Sequence, residues 1–174
     1  VYALRHKNAV RLGAVSGNTT VVVGDRDVLV VDTCLLPSLA RADIALIRKW
    51  TGKPVRYIVN THWHGDHSWG NGAYLEAYPG ATIIAHRETP ALMAGFPNGF
   101  LPGNAAFPER ARQALRDGID FDDAPLTPER RKEIEDDLPN AERRAAEYRT
   151  LVTRLPGLTF HSGLRLDLGN REVR

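Results

Sequence analysis

Apolar and polar positions alternate in short runs early in the chain. Val1-Tyr2-Ala3-Leu4 alternates like a strand. Over residues 18–33, two β-branched runs, T-T-V-V-V and V-L-V-V-D-T, flank Gly24-Asp25-Arg26-Asp27, which predicts a β-hairpin. After Ser38, the positions Ala40, Ile44, Ile47 and Trp50 or Thr51 follow the helical period. They predict a helix capped by Ser38 and ended by Gly52 and Pro54. Residues 56–60 read as a strand, 73–78 as a helix and 81–85 as another strand. Such alternation points to an α/β layered domain.

From residue 95 the pattern changes. The string F-P-N-G-F-L-P-G-N is loop chemistry, Pro108 opens a short helix ending at Gly118, and Thr127-Pro128-Glu129 starts another. Beyond it, Ile134, Leu138, Ala141, Ala145, Tyr148, Val152 and Leu155 step by threes and fours. This predicts one long amphipathic helix kinked at Pro139, or two helices meeting there. Its charged positions, such as Arg130, Arg131, Lys132 and Glu133, read as a solvated face. Residues 164–168 and 171–174 return to β character around a Gly169-Asn170 turn.

With 174 residues, 43% hydrophobic and 25% charged, the chain has the composition of an ordinary soluble domain with a core of its own, which excludes disorder and collagen. Its one cysteine, Cys34, cannot form an intrachain disulfide. That count fits a reducing compartment without requiring one, so localisation stays open between cytoplasmic and exported, any signal peptide lying upstream of Val1. The net charge of +2 comes from interspersed residues and gives no nucleic-acid footprint. The longest apolar runs are far short of the roughly 18 residues of a membrane span.

The chemistry concentrates in Thr61-His62-Trp63-His64-Gly65-Asp66-His67, directly after a predicted strand. Alternation along an extended loop points His62 and His64 the same way, so two imidazoles can reach one metal ion. Asp66 and His67 face a neighbouring position, and Gly65 supplies the freedom to turn between the pairs. Nitrogen and carboxylate donors select zinc first, with iron or manganese also suited.

The string His62-x-His64-x-Asp66-His67 after an apolar strand resembles the signature of the metallo-β-lactamase-fold metallohydrolases. Asn18-Thr19, Val31-Asp32-Thr33 and Ile83-Ile84-Ala85-His86 look like that superfamily's flanking strands. The resemblance implies a four-layer αββα sandwich with the N-terminal half present. On that frame residues 1–94 are the βα half with the metal loop, 95–156 a helical insertion, and 157–174 a returning hairpin that stops before the second half. It also implies two metal sites, His62 with His64 and Asp66 with His67, and a metal-activated water that Asp66 orients and deprotonates. The implied activity is hydrolysis of an ester, lactone, thioester or amide, β-lactams included. Histidine at position 64 favours hydrolysis over the redox di-iron relatives, which carry glutamate there.

The superfamily's remaining ligands belong to its second half, so the chain alone is expected to bind metal weakly, to be inactive, and to expose apolar residues of strands 57–59 and 83–84. The expected partners are that second half, a small-molecule substrate, and a second copy through the helical insertion. Two alternatives stand beside hydrolysis: a mononuclear iron thiol-oxidising enzyme, and a non-catalytic metal-binding chain. Asp32 reads as a buried acceptor bracing the metal loop, and Cys34 as strained if its φ is positive. His86 reads as structural, while His6 and His161 have no supporting context. Trp63 and Trp69 serve as pocket walls or core, and Asp120, Asp122 and Asp123 as a solvated turn.

Overall fold

The computed structural model describes residues 1–6, 15–95 and 97–174, with the backbone alone at 97–100. Among them, β1 (Tyr2–Leu4), β2 (Thr19–Val23), β3 (Val28–Val31), β4 (Val55–Val59), β5 (Thr82–His86) and β6 (Leu158–Phe160) form a six-stranded sheet in chain order. The predicted hairpin is present, with Val21 opposite Val30. Pairing is antiparallel from β1 to β3 and parallel from β3 to β6. Parallel neighbours need crossovers, which helices supply. These are α1 (Pro37–Trp50), then α2 (Gly65–Ser68) with α3 (Asn71–Ala77), then α4 (Thr89–Gly95), α5 (Pro97–Asp117) and α6 (Pro128–Thr150).

Side-chain alternation divides the sheet residues between two clusters. Val21, Val28, Val30, Ile58 and Ile83 pack with Ile44 and Ile47 of α1 and Tyr74 of α3. On the other side, Leu29 and Ile84 pack with Leu166 and Leu168, which belong to a hairpin of β7 (Leu166–Asp167) and β8 (Glu172–Val173). This corrects the expected exposure of strands 57–59 and 83–84. Ile58 and Ile83 are buried under α1 and α3, while Ile84 is buried and Tyr57 and Val59 half-buried on the other face, where the terminal hairpin packs.

Other expectations also change. Leu36, not Ser38, is the N-cap of α1, because Pro37 takes the first helical position, where its missing N–H costs nothing. The expected loop at 95–103 and the short helix from Pro108 are one helix, α5, with Pro102 and Pro108 inside it. Each proline deletes one backbone donor, whereas Phe107, Ala111 and Leu115 gain an apolar cluster with Ile134 and Leu138 of α6. Of the two readings at Pro139, the single helix holds. Thr127 caps it by accepting from the Arg130 N–H. Val152 and Leu155 leave the predicted stripe, since α6 ends at Thr150 and both are exposed. Strand β6 and helix α4 escaped the sequence pattern.

The chain divides into two compact units. The described residues of Val1–Asn8, Val15–Pro97 and Val152–Arg174 form one, and Asn98–Leu151 the other. No helix among the described residues is long and apolar enough to cross a membrane.

Buried Ile44 and exposed Leu46 on α1 test the packing of the first unit. Ile44→Ala should lower unfolding free energy by about 2 to 5 kcal/mol, and Leu46→Ala by no more than about 0.5 kcal/mol. Urea titration of both variants checks this.

Candidate metal centre

The histidine loop leaves the C-terminal end of β4, and two neighbouring turns and an asparagine side chain hold it by its backbone. The N–H of Gly17 donates to the carbonyl of Asp66 at 3.0 Å, and that of Thr33 to the carbonyl of His67 at 2.9 Å. Asn60, buried at the end of β4, adds its side-chain amide to the same His67 carbonyl at 3.1 Å and exchanges hydrogen bonds with Asn71. Thr33 Oγ1 donates to Asn71 Oδ1 at 2.9 Å. The chain bends at residues 61–63, is extended at His64 and then turns into α2, so Asp66 and His67 sit on one helical turn rather than on a continued extended loop.

Gly65 is needed for space. Its φ is not positive, contrary to the conformational reading, but a Cβ there would fall 2.2 Å from the Trp69 ring. Trp69 is buried against this turn, whereas Trp63 is half-buried and tilted on the His64 ring at 4.1 Å between centroids.

Asp32 organises the side chains. Oδ1 accepts from the Thr61 N–H at 2.8 Å, and Oδ2 accepts from Thr61 Oγ1 at 2.8 Å and His67 Nδ1 at 2.7 Å. Since the Thr61 hydroxyl donates to Asp32, it accepts from His62 Nδ1 at 3.0 Å, which leaves a lone pair on His62 Nε2. That nitrogen lies 2.9 Å from His64 Nδ1. His67 Nε2 lies 3.2 Å from Asp66 Oδ2, and the His62 and His67 rings are 4.2 Å apart. The four predicted residues are therefore together at one edge of the sheet.

Their electrostatics follow from this packing. Hydrogen bonds to Asp32 and then Asp66 raise His67 to about 9. For Asp66, burial alone would raise the carboxyl, but the His67 hydrogen bond and charge outweigh it and the net shift is downward. Burial, then the neighbouring His67 and His64, lowers His62.

The donor set fits a metal ion. His62 Nε2 and His64 Nδ1 lie 2.9 Å apart, within about 0.5 Å of the ligand spacing of a tetrahedral ion bound at about 2.0 to 2.1 Å. An imidazole that donates its second nitrogen to an oxygen acceptor is also the usual state of a ligating histidine.

The remaining candidates lie elsewhere or act indirectly. His86 Nε2 pairs with the His161 carbonyl at 3.0 Å across the ends of β5 and β6. The solvated turn expected at 120–123 holds for exposed Asp122 and Asp123, whereas Asp120 is half-buried and pairs with Arg130 at 3.0 Å. Cys34 is buried with φ 61°, so the strain foreseen for a non-glycine residue there is present. Asn60 and Asn71 are positioning residues that sequence reasoning missed. The one available signal was an asparagine at the end of an apolar strand.

Comparison with known proteins identifies the family. The sequence profile of the metallo-beta-lactamase superfamily matches residues 12–157, and the chain belongs to that superfamily. It is 42% identical over 82 residues to a hydroxyacylglutathione hydrolase of Gloeobacter violaceus, a match covering 45% of this chain and 30% of that protein. It is 29% identical over 76 residues to a lactamase-like protein of Pestalotiopsis microspora, covering 43% of this chain and 24% of the relative. The chain thus spans less than a third of these curated relatives. A solved metallo-beta-lactamase from Pontibacter korlensis shares the fold at 14% identity, with a TM-score of 0.50, over 89% of this chain and 46% of its own.

Gly65→Ala should push the α2 turn off Trp69 and lower stability by about 1 to 3 kcal/mol. Denaturant unfolding followed by tryptophan emission measures it, and wild-type stability would remove the steric argument.

Proposed function

We propose that the chain supplies the metal-holding part of a metal-dependent hydrolase acting on an ester, lactone, thioester or amide bond. The observation that carries this reading is the convergence of His62 and His64 beside the Asp66–His67 pair, all braced by Asp32. His62 and His64 would hold one ion, and Asp66 and His67 a second. When bound, such ions supply Lewis acidity and a water that is nucleophilic near neutral pH. Zinc is the expected metal, with iron or manganese compatible with the same donors.

The chain's own groups perform the rest. Asp66 orients the attacking water and takes up its proton at the carboxylate. His67 fixes that carboxylate from one ring nitrogen while Asp32 fixes the ring from the other. Thr61 links Asp32 to His62, so both imidazoles are held by one buried acid. Support for hydrolysis also comes from the relative named hydroxyacylglutathione hydrolase, over the shared part alone.

In the intact protein, His62→Ala or Asp66→Ala should reduce bound metal and hydrolytic turnover together. Unchanged turnover in either variant would remove the reading. Asp32→Asn keeps the side-chain shape and tolerates the left-handed backbone, yet should weaken metal binding about 10- to 100-fold. Competition with a chelator of known affinity measures the loss.

A further inference from the structure

A second group of donor side chains meets inside the first unit. His6 follows β1, Cys34 follows β3, and Asp43 lies on the buried face of α1. One donor atom from each, an imidazole nitrogen, the thiol sulfur and a carboxylate oxygen, lies within 4.8 Å of the others. Cys34 is fully buried, Asp43 is 4% exposed, and the His6 side chain is 8% exposed. An acid, a thiol and an imidazole thus meet beside a core that is built mainly of valine, isoleucine and alanine.

The arrangement is oriented. His6 Nδ1 lies 2.7 Å from the Gly17 carbonyl and donates to it, so Nε2 faces Asp43 Oδ1 at 3.1 Å. A ring tied by one nitrogen to a backbone carbonyl, with the other aimed at anionic donors, is how proteins present a ligating histidine. Two observations independent of these hydrogen bonds point to a ligand. Asp43 Oδ2 is buried with no hydrogen-bond partner among the described residues. The hydroxyl of fully buried Tyr74 is also without a hydrogen-bond partner among the described residues. Buried polar groups of this kind are paired or bind metal.

We propose that His6, Cys34 and Asp43 form a metal site separate from the histidine loop, which takes a divalent transition ion of the zinc class. A mixed sulfur, nitrogen and oxygen set suits zinc and does not suit calcium or magnesium. The thiolate and carboxylate together match the dication, so the filled site is neutral, as a buried site requires. Binding releases the Cys34 thiol proton, and any proton on His6, to solvent with no change of oxidation state. Gly17 stands between the two sites: its carbonyl holds His6, its N–H holds the Asp66 carbonyl, and a Cβ there would lie 2.7 Å from His67. An ion on His6 therefore stiffens the turn that positions Asp66 and His67.

Cobalt(II) loading of the full chain tests this. The chain has one cysteine, and His62, His64, Asp66 and His67 offer no sulfur, so thiolate-to-cobalt charge-transfer absorption reports this site alone. The band should appear in the wild type, saturate at one equivalent, survive His62→Ala with His64→Ala, and vanish in Cys34→Ser. Asp43→Asn should weaken the cobalt affinity read from the band about tenfold or more. A wild-type chain that is folded by circular dichroism and saturated with cobalt, yet shows no band, would overturn the proposal whether or not the variants fold. So would a band that persists in Cys34→Ser.

Discussion

A buried carboxylate must be surrounded by donors, and Asp32 meets that demand by gathering the metal loop around itself. Its φ of 60° costs roughly 1 to 2 kcal/mol for a residue with a side chain. Hydrogen bonds to a charged group contribute about 1.5 to 3 kcal/mol each, and Asp32 accepts three. The strained backbone is therefore the minor term. Holding Asp32 in that conformation lets one carboxylate reach both the Thr61 end of the loop and the His67 ring on α2.

The backbone around this acid is treated in the same way. Carbonyls of Asp66 and His67 are taken by N–H groups from turns before β2 and after β3, and the Asn60 amide joins them from β4. A four-residue helix has no cooperative stability of its own. Its shape is imposed by these external donors and by Trp69 packed against Gly65. The site is thus rigid because neighbouring strands hold it, although its own sequence is short and polar.

Much of this was legible in the sequence because it is local. The hairpin, α1, β4 and β5 follow simple periods, and His62, His64, Asp66 and His67 lie within six residues of one another. What escaped depends on distant residues. Asp43 interrupts the apolar face of α1 as an ordinary polar residue would, until β1 brings His6 to it from 37 positions away. Asn60 and Asn71 acquire meaning only through each other. Pro102 reads as part of a loop and Pro108 as a helix start, yet both lie inside α5, whose apolar cluster with α6 outweighs the donors they delete. Strand β6 was missed because three residues carry too little pattern, and its partner Ile84 lies far back in the chain.

The pairing of β5 with β6 has a consequence for how the chain tolerates change. The connection between His86 and Leu158 holds all of the Asn98–Leu151 unit, yet the two strands join in regular parallel register. Closing a flexible connection costs only about 0.6 kcal/mol more for each doubling of its length. The sheet is thus nearly indifferent to how many residues pass between these strands, provided that they fold among themselves. That makes this crossover a place where the scaffold accommodates whole helices while the Asp32 network stays intact.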